Sequence, residues 1–308
     1  MNQLDTGPMR SDVERMYLNT GGDALFWQPP EARGGVYASL RPAPPLRAFV
    51  DRIHFGHEWV DPAHPVTERV LPDGGVHLIF NLGDPPAVPG SEGAAAVAVG
   101  ARCEPSLIHM AGRVEHVTAT LRPGGMAALL GVPAAELAGQ DVPLDALWGP
   151  HAADALDRLA AAPPGPARAA VLESVLRERL AARDARSDAA ATEAVRMIER
   201  AGGRIRVRAL AAAIGVGERR LEQVFHRHVG LSPKAVCRLA RFRATVDVLQ
   251  REPGRAWTDI AYDCGFYDQS HLVNEFQALA GLPPGDFRDR GRGFMPPASG
   301  AGPPFPLP

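Results

Sequence analysis

Residues 207–234 read VRALAAAIGVGERRLEQVFHRHVGLSPK, and residues 257–285 read WTDIAYDCGFYDQSHLVNEFQALAGLPPG. The second stretch repeats the first: Ala211, Gly215, Leu221, Phe225, Gly230 and Pro233 recur as Ala261, Gly265, Leu272, Phe276, Gly281 and Pro284. The offset is 50 residues at the alanine and 51 from the leucine onward, so one inserted residue separates two copies that otherwise stay in register. Ala-x3-Gly followed by Leu-x3-Phe and Gly-x2-Pro spells a short helix, a tight turn, a second helix and a stop, which is the order of a helix-turn-helix unit. Glycine suits the turn because its backbone enters the left-handed region without a Cβ clash.

The faces of the second helix in each copy carry the chemistry. At about 100° per residue, Leu221, Val224, Phe225 and His228 share one face of a helix that starts near Glu218. The opposite face collects Arg219, Gln223 and His226, flanked by Arg220 and Arg227. In the second copy Asp268 is placed to cap the helix, Leu272, Phe276 and Leu279 point inward, and Ser270, Asn274 and Gln277 point outward beside Gln269 and His271. Guanidinium forks and side-chain amides match phosphates and base edges in a major groove, so these ten outward residues are the expected DNA contacts. Arg219 and Arg220 have a plainer alternative as partners of Glu218 and Glu222. Between the copies, Pro233 to about Gln250 reads as one helix bearing Arg238, Arg241 and Arg243, which would hold two readers about 34 Å apart, one turn of DNA.

These residues resemble a known family. Gly230-Leu231-Ser232-Pro233, the arginine-bearing connecting helix, and Asp259-Ile260-Ala261 continuing through Gly265-Phe266, Asp268-Gln269-Ser270-His271-Leu272 and Phe276 are similar to the DNA-binding module of AraC/XylS-type transcription regulators. Gly217 stands where that family customarily has a serine cap, and Gln223 and Asn274 stand where arginine is frequent. The segments Leu46-Arg47-x-Phe49-Val50, Leu71-Pro72-Asp73-Gly74, Phe80-Asn81-Leu82-Gly83 and Arg122-Pro123-Gly124-Gly125 resemble a less characterised sensor-like domain that often precedes this module. The resemblance implies a cupin-like β-barrel there, with effector-binding or dimerisation duties. The implied partners are double-stranded DNA, with RNA polymerase, a small-molecule effector and a second copy of the chain as further candidates.

The rest of the chain reads accordingly. The net charge is −2, yet residues 187–292 hold 17 Lys and Arg against 13 Asp and Glu, leaving a net −6 elsewhere. A mildly basic C-terminal module thus follows an acidic N-terminal part. Val76–Leu82, bracketed by Pro72–Gly75 and Gly83–Pro86, reads as a strand, as do Val36–Leu40, Ile53–Val60, Ala95–Val99, Leu107–Met110 and Val114–Leu121. Many short strands between turns imply a small sandwich or barrel. From Gly124 the pattern turns helical, with Met126–Leu130, Ala134–Leu137, Ala152–Ala161 and Ala167–Ala182, so the fold class is α+β with a helical annex and an all-α C-terminal module. Residues 1–20 and 291–308 read as loosely attached, 21–182 as a sensor or dimerisation domain, 183–187 as a linker and 188–290 as the DNA-binding domain.

Competing chemistry is thinly supported by the residues. Cys103, Cys237 and Cys264 form neither a disulfide framework nor a zinc pattern, and no signal or run of about 18 apolar residues occurs, so a reducing, cytoplasmic location is the expectation. His54, His57, His77, His109 and His116 have no spacing that forces them together, so neither metal nor cofactor is expected. A different class of protein would use Cys103, activated by Arg102, as an alkylation or redox sensor, or would use the N-terminal part as an enzyme that the module targets to DNA. A third would be governed through protein partners alone. Trp27, Trp59 and Trp148 are expected in the core, and Arg122-Pro123-Gly124-Gly125 as a strand-to-helix turn.

Overall fold

A computed structural model describes residues 13–18, 25–27, 36–87, 93–182 and 188–290. The N-terminal half is built on two sheets. One has four strands, β1 (Val13–Leu18), β2 (Leu25–Trp27), β5 (Val66–Val70) and β8 (Ser106–Met110), in the order β2-β1-β5-β8. The other has six, β3 (Val36–Leu40), β4 (Val50–Val60), β6 (Val76–Asn81), β7 (Ala96–Val99), β9 (Gly112–Leu121) and β10 (Asp141–Pro143), in the order β10-β7-β6-β9-β4-β3. Of the two arrangements the turns allowed, this is the sandwich, not a closed barrel.

Alternation along β6 explains the layering. Val76, Leu78 and Phe80 are buried against the helices α1 (Gly125–Leu129), α2 (Asp145–Trp148), α3 (His151–Ala161) and α4 (Pro166–Ala181), while His77, Ile79 and Asn81 look toward the smaller sheet. Trp148 is buried in the helical layer, with its indole N–H donating to Leu129 O at 3.1 Å. Trp59 departs from expectation: it is 69% exposed, because the inward position at that end of β4 belongs to Glu58. Trp27 lies in a strand whose side chains are outside the described residues.

Residues 1–20 are not uniformly loose. Val13–Leu18 pairs with β2 on one side and, in parallel, with β5 on the other. Within this sheet neighbouring side chains face opposite ways. Arg15 and Tyr17 point at the larger sheet, where Arg15 meets both carboxylate oxygens of Glu58 at 2.6 and 2.8 Å and Tyr37 donates to the same carboxylate. Glu14 and Met16 point the other way, toward the C-terminal module.

That module comprises α5 (Ala189–Arg200), α6 (Val207–Ile214), α7 (Glu218–His228), α8 (Pro233–Arg251), α9 (Trp257–Asp263), α10 (Gln269–Ala280) and α11 (Pro284–Arg290). Asp188, Ser232 and Asp268 cap α5, α8 and α10 by accepting backbone N–H groups at 2.8, 3.2 and 2.7 Å. Gly217 leaves α7 without a side-chain cap. Met16 and Leu71 of the N-terminal half belong to the same apolar cluster as Phe242, Phe276 and Phe287, so the two halves share a core. Residues 183–187 and 291–308, read as linker and tail, lie outside the described residues.

Candidate functional site

The repeat folds as two helix-turn-helix units, α6-α7 and α9-α10, with Gly215 and Gly265 at φ +77° in the turns. A Cβ on Gly265 would strike the stem of Arg204, whose guanidinium donates to Asp263 O at 3.2 Å and ties the units together. On α7, Leu221, Val224 and Phe225 are buried while Arg219, Arg220, Gln223, His226 and Arg227 are exposed. Among the described residues neither Arg219 nor Arg220 pairs with Glu218 or Glu222; Arg220 lies 3.5 Å from Gln223 Oε1. On α10, Leu272, Phe276 and Leu279 are buried, and Gln269, Ser270, Asn274 and Gln277 are exposed. His271 differs from the other nine. Half-buried, it accepts the Tyr267 N–H on Nδ1 at 3.2 Å and sets its ring edge against Phe266 at 5.6 Å, so it stabilises the turn.

Three arginines of the connecting helix α8 are engaged within the protein. Arg238 meets Glu275 at 2.6 Å, Arg241 donates to Gly203 O at 2.9 Å and covers the Phe266 ring, and Arg243 donates to Asp73 O of the N-terminal half. His228 also turns inward, 3.2 Å from Asp188, with its imidazole held below the ordinary value chiefly by burial.

The N-terminal half grips the rear of both readers. Gly124 N–H donates to His228 O at 3.0 Å, and a Cβ on Gly230, at φ +82°, would come within 2.8 Å of Ala134 O. At the second reader Arg69 reaches Ala280 O at 3.4 Å, and Glu14 bridges Arg69 and Arg290 at 2.6 Å each. Both contacts lie at helix C-termini, which leaves the N-terminal turns of α7 and α10 facing solvent. Beside the second reader, Tyr262 and Tyr267 are 83% and 92% exposed, and their hydroxyls suit phosphate contact. Neither occupies one of the repeated positions, so the periodicity of the sequence carries no signal for them.

Between the two sheets lies a cavity of about 200 Å³. Strand register assembles it: His54, His77 and His116 come from β4, β6 and β9, and Tyr17, Glu68 and Ile108 come from the facing sheet. The histidines therefore converge, although nothing in their spacing along the chain required it. Burial pushes the His54 and His116 imidazoles down to about 3 and about 4, so both are neutral at pH 7. His77 instead joins Asp73 at 3.1 Å, and Asp73 is held far below the usual carboxylate range against the opposing cost of burial by His77, Arg243 and the Gly75 N–H. Gly56 makes room for the Tyr37 ring against His116, where a Cβ would collide with both.

Residues 210–290 match a family model described as a helix-turn-helix domain, and residues 38–143 match a domain of unknown function, DUF6597. The module is an AraC-type helix-turn-helix domain. Solved structures similar to the chain include a transcriptional regulator with an AraC-type DNA-binding domain from Chromobacterium violaceum, at 24% identity over 33% of this chain and 91% of that one, TM-score 0.31. A probable AraC family regulator from Rhodopseudomonas palustris is 25% identical over 32% of this chain and 98% of its own, TM-score 0.29. ToxT from Vibrio cholerae aligns with 84% of this chain and 99% of its own at 8% identity, TM-score 0.42. No curated protein matches the chain. The DUF6597 region carries most of the cavity wall, so the AraC-type domain is coupled to a hollow partner. No helix among the described residues is long and apolar enough to cross a membrane.

Cys103 is half-buried, and burial raises its thiol. The opposing cation is Arg238, not the adjacent Arg102, which is bound to Asp141 and Ser106. The thiol is therefore masked rather than activated. Among the described residues no three His, Cys, Asp or Glu side chains are grouped to hold a metal.

Glu68 makes no side-chain hydrogen bond among the described residues, and burial raises its carboxyl to about 7 against the countering charge of Arg15. A carboxyl raised on folding contributes stability below its unfolded value of 4.5, and that contribution is lost as pH rises through 7. Glu68→Gln is accordingly expected to match the native protein near pH 4.5 and to exceed it by about 3 kcal/mol at pH 8, the scale of a shift of this size. Urea unfolding at both pH values measures it, and a pH-independent difference would contradict the burial argument.

Proposed function

We propose that this chain is a sequence-specific transcription regulator of the cytoplasm, in which α7 and α10 read adjacent major-groove segments of double-stranded DNA. Residues 188–290 form the reading domain. The N-terminal part, its sandwich including β1, binds an effector in the cavity between its sheets and shifts the population of DNA-competent states. The observation that carries this reading is the pair of outward faces, nine exposed donor or amide side chains on two helices whose opposite faces are fully buried. The readers are unequal. Arg219, Arg220 and Arg227 supply phosphate attraction, whereas Asn274 and Gln277 suit bidentate bonding to adenine. RNA polymerase and a second copy of the chain are the further partners of such a regulator.

Mobility shifts on the DNA upstream of its own coding sequence test the assignment. Asn274→Ala is expected to weaken the specific site by ~1–3 kcal/mol and to relax one base position, while Arg219→Ala weakens all sequences alike and lowers the salt slope. Unchanged binding by both variants would remove these helices as readers. Effector sensing is a separate question, answered by whether a cavity ligand changes the affinity for DNA.

A further inference from the structure

The cavity carries a charge pattern that selects its occupant. Its lining includes five carboxylates, and four are engaged: Asp73 by His77, Asp84 by the Arg113 N–H at 2.8 Å, Glu115 by Arg168, and Asp141 by Arg102. Glu68 alone makes no side-chain hydrogen bond or ion pair among the described residues, with only the charge of Arg15 at longer range. No lysine or arginine lines the cavity. Arginines beside the wall are taken as well, Arg15 by Glu58 and Arg52 by Asp51 and Ser39. His54, 7% exposed, has its Nε2 buried and without a hydrogen-bond partner. The remaining wall is mainly apolar or aromatic, with Tyr17, Tyr37, Ile79, Val97 and Ile108, and its uncharged polar members are Ser39, Asn81, Ser106 and Thr118.

An anion entering this space would find no cation that is not already engaged by a carboxylate, and would face the Glu68 carboxyl, which has no ion pair. A protonated amine would find a charge-assisted acceptor in Glu68, and aromatic rings favour a cation over an anion. The volume exceeds the ~150 Å³ of an apolar cavity that takes up benzene.

We propose that the cavity binds a small organic cation with an aromatic or apolar body, its ammonium on Glu68 and a hydrogen-bonding group within reach of His54 Nε2. The proposal rests on the reading of the N-terminal half as an effector domain and names the class of effector. The wall that holds the ligand also borders the AraC-type module. On β5, Glu68 and Val70 face the cavity, while Arg69 between them reaches Ala280 O at the end of the second reader.

Calorimetric titration of the full chain at pH 7.5 with 2-phenylethylamine, 2-phenylethanol and phenylacetate tests the charge class. The amine is expected to bind at least tenfold more tightly than phenylacetate. Glu68→Gln should weaken the amine about tenfold and leave the alcohol unchanged, with an unfolding curve confirming that the variant is folded. Ile108→Trp, which fills the cavity, should abolish binding of amine and alcohol together. Equal or tighter binding of phenylacetate, no binding of the amine, or amine binding indifferent to Glu68→Gln would each overturn the proposal. Amine binding with the expected preferences but without any change in DNA affinity would sustain the cation site and defeat the effector reading instead.

Discussion

Glu58→Ala is expected to destabilise the fold by about 3–5 kcal/mol, the cost of removing one partner of a buried ion pair. Its carboxylate accepts both contacts from Arg15 and a hydrogen bond from the Tyr37 hydroxyl, and its side chain is wholly enclosed. Alanine removes the carboxylate that a guanidinium and a phenol share between two sheets. The effect reaches beyond the pair, because Arg15 belongs to β1, which joins β2 to β5. Urea unfolding at pH 7 measures the loss. The double variant Arg15→Met/Glu58→Leu should recover most of it, since an apolar pair of similar volume avoids the desolvation of both charges. A single-variant loss below about 1 kcal/mol would show that water reaches Arg15 freely.

Phe276→Ala is the second large effect, about 3–5 kcal/mol for a fully buried phenylalanine replaced by alanine. The ring is 1% exposed and sits 4.9 Å from Phe242 and 5.2 Å from Phe287, so it pins α10 to α8 and α11 together. Met16 and Leu71 enter the same cluster, and the loss should lower the unfolding of both halves. Scanning calorimetry is the check. One common transition at a lower temperature is expected, and a separate early transition confined to the C-terminal module would contradict the shared core. Operator binding should fall along with stability, because α10 loses its buried anchor.

The helical module was legible because its signals are local. Gly215 and Gly265 mark turns, Asp268 caps its helix, and Leu221, Val224 and Phe225 recur at helical spacing, all within windows of a dozen residues. The N-terminal strands that show apolar runs, such as Val76–Asn81, were legible for the same reason. β1 and β5 were not. Val13–Leu18 and Val66–Val70 carry charges on both faces, so no apolar alternation appears, and their burial depends on partners more than 40 residues away, such as Arg15 with Glu58 and Glu14 with Arg69. The cavity was hidden by the same physics. Tyr17, His54, Glu68, His77 and His116 meet only once five strands adopt their register. Trp59, expected in the core, lies outside it, because composition says nothing of which side of β4 turns outward.

The four-stranded sheet is a single layer with a chamber on one side and the AraC-type module on the other. A layer so thin has no neutral interior, and whatever leans on Glu68 also leans on the peptide of Arg69. Reciprocity then runs in both directions: any factor by which an occupant of the chamber alters the hold on DNA is the factor by which DNA alters the hold on that occupant. On the proposed function, a promoter bound by this protein would act as a cofactor for its own signal, and the concentration at which the signal registers would depend on how many operators are present to be read.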